Sequence, residues 1–198
     1  MNRISAVLLA AGESRRMGEI NKLEMNVDGV SLLRHTVNTL LASQLQELVV
    51  VLGYQVDKVR FLLEGLPVKI VLNDIYHEGQ MTSVHRGLES LSQSCDGVMI
   101  CLSDQPLIQS SDINIIIDAF EKQNQESILV PTHQGKRGNP IILSHKYKDL
   151  ILNGQRNLGC KRVIKKNPDV VTTIEMDTNH VIVDIDTPQD YATFQQSL

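Results

Sequence analysis

The chain has 198 residues, with 19 Lys and Arg against 23 Asp and Glu, for a formal net charge of −4 with the histidines neutral. That balance, with no long basic run, excludes a generic polyanion binder, because neutralising many DNA or RNA phosphates takes a strongly positive face. At 42% hydrophobic and 21% charged residues the composition excludes wholesale disorder, and the length suits one domain over residues 1–198.

The apolar run at residues 4–9 ends in small residues, Gly12 and a doubly basic stretch, so it reads as a first strand rather than a secretory leader. Nothing later approaches the roughly 20 apolar residues of a membrane span. Cys95, Cys101 and Cys160 are odd in number and match no metal-ligand spacing, which reads as reduced structural thiols in a cytoplasmic protein.

Further buried strands are expected at 48–52, 68–72, 98–102 and 128–130, each an apolar run rich in β-branched residues. Helices are expected between them. Leu33, Val37, Leu40 and Leu41 form one apolar stripe, Met81, Val84, Leu88 and Leu91 a second, and Ile113, Ile116, Ile117 and Phe120 a third, behind Ser111 as N-cap. The order βαβαβαβαβ, with strands buried on both faces, predicts a three-layer α/β/α architecture around a mainly parallel sheet. After Pro131 the rhythm changes. A short strand is expected at 141–143, one or two polar helices over 150–167, and a closing strand at 181–186. A last helix follows, with Thr187 as N-cap, Pro188 at its first position and Asp190 acting back on the cap.

The sharpest local signal is the loop after the first strand. Ala10, Ala11, Gly12 and Ser14 are small enough for backbone N–H groups to approach an anion, and Arg15, Arg16 and Lys22 follow within eight residues. The loop is neither a Walker A motif nor the G-x-G-x-x-G of a dinucleotide fold. One reading is that Gly12 only turns the chain and the cations are solvated. Their clustering at the carboxyl end of a strand, where α/β sheets place ligands, favours a phosphate cradle.

Acidic residues stand at two other strand ends. Asp104 follows the strand at 98–102, and Asp184 and Asp186 alternate near the closing helix. A carboxylate beside a triphosphate can hold Mg²⁺, which takes one or two carboxylates and completes its octahedron with phosphate oxygens and water. Asp104 could instead cap a turn before Pro106. The six histidines show no i, i+4 pair, which disfavours a His-bound catalytic metal, and Lys161, Arg162, Lys165 and Lys166 read as a solvated helix face.

These residues resemble the MobA-like nucleotidyltransferases, most closely the molybdenum cofactor cytidylyltransferases. The resemblance rests on residues 9–18 with Lys22, on 102–106, on 78–84, on 137–140 and on 184–190, and so spans almost the whole chain. It implies the Rossmann-like fold of the nucleotide-diphospho-sugar transferases. By resemblance, Ala11, Gly12, Ser14, Arg16 and Lys22 meet the base or triphosphate, Asn73, Gly79 and Ser83 approach the nucleoside, and Asp104 and Asp186 hold Mg²⁺. Arg16, Lys22 and Asp104 carry the catalysis, and Gly138, Asn139 and Pro140 lie near the acceptor. The alanine at position 11 resembles the branch that uses CTP. The implied reaction transfers CMP from CTP to the phosphate of molybdopterin, with no nucleic-acid or membrane partner and with a client molybdoenzyme as a candidate recipient. A sugar phosphate, sugar acid or alditol phosphate acceptor, or a non-enzymatic cofactor-binding role, are the alternatives. Lys22 departs from the pattern in standing four residues after Gly18 rather than three, Asn139 replaces a commoner histidine, and residues 154–156 match an acidic glycine-rich motif only loosely.

Overall fold

The computed structural model describes residues 3–18, 20–92, 94–123, 127–153 and 164–196. In chain order these give β1 (Ile4–Ala10), the short pair β2 (Asn26–Val27) and β3 (Val30–Ser31), α1 (Leu32–Leu41), β4 (Glu47–Leu52), α2 (Val56–Phe61), β5 (Lys69–Leu72) and α3 (Gln80–Glu89). The second half adds β6 (Gly97–Leu102), α4 (Ser110–Glu121), β7 (Ile128–His133), β8 (Lys136–Arg137), β9 (Ile141–Ser144), α5 (His145–Asn153), β10 (Val171–Glu175) and α6 (Pro188–Gln195).

One mixed sheet runs in the order β10-β7-β9-β6-β1-β4-β5, with β8 paired to β7 and β2-β3 standing apart. β1 pairs in parallel with both β4 and β6, and β10 with β7, whereas β9 runs antiparallel between β6 and β7. Side chains on a strand alternate between faces, and β1 divides accordingly. Ile4, Ala6, Leu8 and Ala10 pack with Leu33 and Val37 of α1 and Ile113, Ile116 and Phe120 of α4. Val7 and Leu9 pack instead with Val84 and Leu88 of α3 and Tyr147 and Ile151 of α5. The result is the three-layer, mainly parallel architecture that the strand and helix periodicities predict.

Two expectations are corrected. Residues 181–186 are not a strand. A 3-10 turn (Asn179–Ile182) leads into extended chain whose main-chain groups bond to loops, with Ile185 N–H donating to Asp104 O at 2.8 Å. The last strand is β10, at the sheet edge. Secondly, α4 begins two residues earlier than Ser111 as N-cap predicts: Gln109 is its N-cap, and Asp112 Oδ2 accepts from Gln109 N at 2.9 Å. The closing helix starts as expected, since Thr187 Oγ1 accepts from Asp190 N and Asp190 Oδ2 from Thr187 N at 2.7 Å. The expected helical stretch at 150–167 begins earlier, at His145, and residues 154–163, with the loose motif at 154–156, Cys160, Lys161 and Arg162, lie outside the described residues. Lys165 and Lys166 are exposed.

Burial pushes the Cys101 thiol far above its ordinary value, and burial also raises Cys95, which fits inert structural thiols. Among the described residues no helix is long and apolar enough to cross a membrane.

Candidate active site

Parallel pairing puts the carboxyl ends of β1 and β6 side by side, with Leu9 opposite Leu102. The glycine loop and the Ser103-Asp104 step therefore leave the sheet together, and Ser103 Oγ donates to Leu9 O at 2.8 Å to pin them. Ligands of open α/β sheets collect at such an edge because the two connections diverge there.

Between these loops and α3 lies a cleft of about 230 Å³. Its floor and one wall come from Leu9, Ala11, Gly12 and Ser14. Lys22, Ser103 and Asp104 form the second wall, and Tyr76, Gln80 and Ser83 the third.

Lys22 is the centre of the charge arrangement. A 3-10 turn (Lys22–Glu24) carries it, capped by Asn21, whose side chain accepts from Leu23 N at 3.1 Å, and anchored by the buried Leu23. From there its ammonium donates to Asp104 Oδ2 at 2.6 Å, to Asp186 Oδ1 at 3.1 Å and to Ile185 O at 3.2 Å. An ammonium has three donors, and all three are used. Arg16 Nη2 pairs with the other Asp186 oxygen at 2.8 Å. Asp104 and Asp186, 82 positions apart in sequence, thus meet around one cation. Asp184 stands close by. Its burial, then the nearby charges of Asp186 and Asp104, hold its carboxyl above the usual carboxylate range.

Two polar atoms of the cleft are buried without a protein partner: Ser14 Oγ and Asp104 Oδ1. Most buried polar atoms in folded proteins are hydrogen-bonded, so two orphans in one cleft mark the place of a polar ligand. Ser14 also holds a left-handed backbone, φ 52°, which is uncommon for a residue with a side chain. Asp104 and Asp186 make a two-carboxylate oxygen set of the kind Mg²⁺ or Mn²⁺ accepts when phosphate supplies the remaining ligands. No group of three or more His, Cys, Asp or Glu suited to a metal occurs among the described residues.

Of the residues singled out from the sequence, Ala11, Gly12, Ser14, Lys22, Ser83 and Asp104 line the cleft, and Arg16 and Asp186 adjoin it through ion pairs. Asn73 lies behind the wall, donating to Ser83 Oγ at 2.9 Å and Thr82 Oγ1 at 2.8 Å. Gly79, at φ 117°, turns the chain from a 3-10 turn into α3. Gly138, Asn139 and Pro140 are not in the lining. Gly138 and Asn139 pack on Val181, whose carbonyl accepts from Asn139 N at 2.9 Å, and a Cβ on Gly138 would come within 2.5 Å of that oxygen. Tyr76 escaped sequence reasoning, since it lies outside the glycine-rich signatures and only the packing brings it beside Ala11 and Ser83.

Comparison with known proteins gives the family. The MobA-like NTP transferase domain matches residues 6–171, which leaves Asp186 beyond the matched segment. The purine catabolism protein PucB of Bacillus subtilis is 27% identical over 97% of this chain and 96% of its own. The molybdenum cofactor cytidylyltransferase of Escherichia coli is 24% identical over 99% and 97%. Among solved structures, Rv0371C of Mycobacterium tuberculosis in complex with manganese superposes with a TM-score of 0.82 at 21% identity, covering 99% of this chain and 100% of that one. The chain is a nucleotidyltransferase of the MobA-like NTP transferase family.

Proposed function

We propose that the protein transfers CMP from CTP to the terminal phosphate of a molybdopterin-type acceptor in the cytoplasm, releasing pyrophosphate, and hands the product to a client molybdoenzyme. The observation that carries this reading is the Lys22 bridge between Asp104 and Asp186 at the mouth of a cleft holding two orphaned polar atoms. An acceptor phosphate oxygen forms the new bond to the α-phosphorus, and the bond from that phosphorus to the bridging oxygen of the β-phosphate breaks. The acceptor is already anionic, so no protein base is assigned. The chain's task is to hold two anions in line and spread the charge that develops. Ser14 Oγ and the N–H groups of the glycine loop meet the phosphates, while Lys22 and Arg16 neutralise them. Ser83, held by Asn73, and Tyr76 border the nucleoside. Asp104 and Asp186 would hold Mg²⁺, which when bound supplies further positive charge against the triphosphate.

Support for CTP comes from Ala11 and from the cytidylyltransferase relative. Gly138 and Asn139 engage Val181, and neither they nor Pro140 line the cleft, so this motif does not commit the site to a molybdopterin acceptor. A sugar-phosphate acceptor is therefore the second reading. Pyrophosphate release measured with CTP, GTP and UTP against molybdopterin and several sugar phosphates separates the two. CTP with molybdopterin should turn over, and Asp104→Ala should lose about a hundredfold or more while remaining folded. Full release by Asp104→Ala, or no turnover of CTP with any acceptor, overturns the proposal.

A further inference from the structure

The segment bearing Asp184 and Asp186 has no place in a sheet ladder, yet Asp186 must lie opposite Asp104 for the site to exist. Its attachments explain how. Asp104 O accepts from Ile185 N at 2.8 Å, and the next residue, Gln105, donates from Nε2 to Val181 O at 3.0 Å. Two adjacent residues at the end of β6 thus grip the segment at two points four residues apart. The Val181 carbonyl has a second donor in Asn139 N at 2.9 Å, and it lies so close to Gly138 that a side chain there would strike it.

Gln105 is an unusual residue for the place it occupies. It is 4% exposed and bordered by Leu40, Ile108 and Ile113, and its Oε1 is buried with no protein partner. A methionine of similar length would fill that space without stranding an amide oxygen, whose unbonded burial is unfavourable. What the glutamine adds is a side-chain donor that ties the Val181 carbonyl to the residue next to Asp104.

We infer that Gln105 is a positioning residue that sets the second aspartate of the metal pair, by clamping Val181 while the neighbouring Asp104 carbonyl holds Ile185. The inference rests on the reading that Asp104 and Asp186 bind a divalent cation. It also gives Gly138 and Asn139 a role as the back of the clamp, in place of direct contact with the acceptor.

Gln105→Met tests it, with Asp104→Asn run in parallel on the full chain. Mn²⁺ binding is followed by electron paramagnetic resonance, main-chain hydrogen exchange over residues 181–187 by mass spectrometry, and thermal unfolding by circular dichroism. Partners that orient metal ligands typically contribute ten- to a hundredfold to affinity, so Gln105→Met should weaken Mn²⁺ binding about tenfold. It should speed exchange at 181–187 while leaving the melting temperature unchanged or raised. If Asp104→Asn weakens Mn²⁺ binding and Gln105→Met does not, the clamp is overturned and the metal site stands. Should Asp104→Asn leave Mn²⁺ binding untouched, the metal reading fails and the clamp with it. A Gln105→Met protein with a lower melting temperature and exchange faster throughout the chain shows a packing role and also overturns the inference.

Discussion

Lys22 sits where two functions meet. Its ammonium balances Asp104 and Asp186, and any triphosphate entering the cleft competes for the same three donors. A divalent cation competes from the other side, for the same carboxylate oxygens. Lys22→Met keeps the apolar stem and deletes the charge, so the two roles separate: CMP transfer should fall by about a hundredfold or more, whereas Mn²⁺ should bind the ligand-free protein at least as tightly as before. Weaker Mn²⁺ binding in the variant would mean that the lysine supports the carboxylates instead of competing for them. The sequence named this residue but left its reach in question, since it stands one position further from Gly18 than the resemblance expects. The cap at Asn21 and the buried Leu23 hold the turn that carries it to both aspartates, and both are local features. Tyr76 and the function of Gln105 were illegible for the opposite reason. Each depends on a partner far off in the chain, and a single sequence does not display such pairings.

At the scale of elements, the contact of α3 with β1 holds the cleft wall of Gln80 and Ser83 against the glycine loop. Gly87 makes it possible. A Cβ at this position would overlap Val7 of β1 and come within 3.1 Å of Val51 of β4, so α3 lies closer to the sheet than any other residue would allow. Helix propensity alone favours Ala over Gly by up to about 1 kcal/mol, but overpacking in a closed core costs roughly 1–3 kcal/mol. Gly87→Ala is therefore expected to destabilise, read as a lower urea midpoint with an unchanged slope. A higher midpoint would show that α3 shifts freely. The same elements show why periodicity succeeded where it did. Central strands such as β1 and β4 are buried on both faces, so their apolar runs are unbroken. β10 escaped notice because it lies at an edge, with Thr173 and Glu175 exposed. Residues 181–186 misled because the apolar run Val181–Val183 leads into Ile185 between Asp184 and Asp186, as in a strand, while the main-chain groups of Val181 and Ile185 serve the clamp and Asp104.

Across the whole molecule, the site joins chain regions that otherwise make separate attachments. The glycine loop and Asp104 belong to the sheet. Asp186 belongs to the C-terminal segment, which rests on the capping box of α6 and on a small apolar cluster of Val27, Leu32, Ile185 and Phe194. A bound metal and nucleotide would bridge the two, and binding to the folded state alone adds stability by mass action, about 2.7 kcal/mol at a hundred times the dissociation constant. For a chain of this length each kcal/mol corresponds to roughly 2–4 °C, so saturating CTP with Mn²⁺ should raise the melting temperature by about 5–10 °C. The full effect should need both components, because in the ligand-free protein Lys22 and Arg16 compete with the metal for the carboxylates it would use, and a bound triphosphate draws those cations away. Asp186→Asn should remove most of the Mn²⁺-dependent part, since it cuts the link at the C-terminal side while leaving the glycine loop intact. A full shift in Asp186→Asn would show that the nucleotide is held by the sheet edge alone, with the C-terminal segment outside the site.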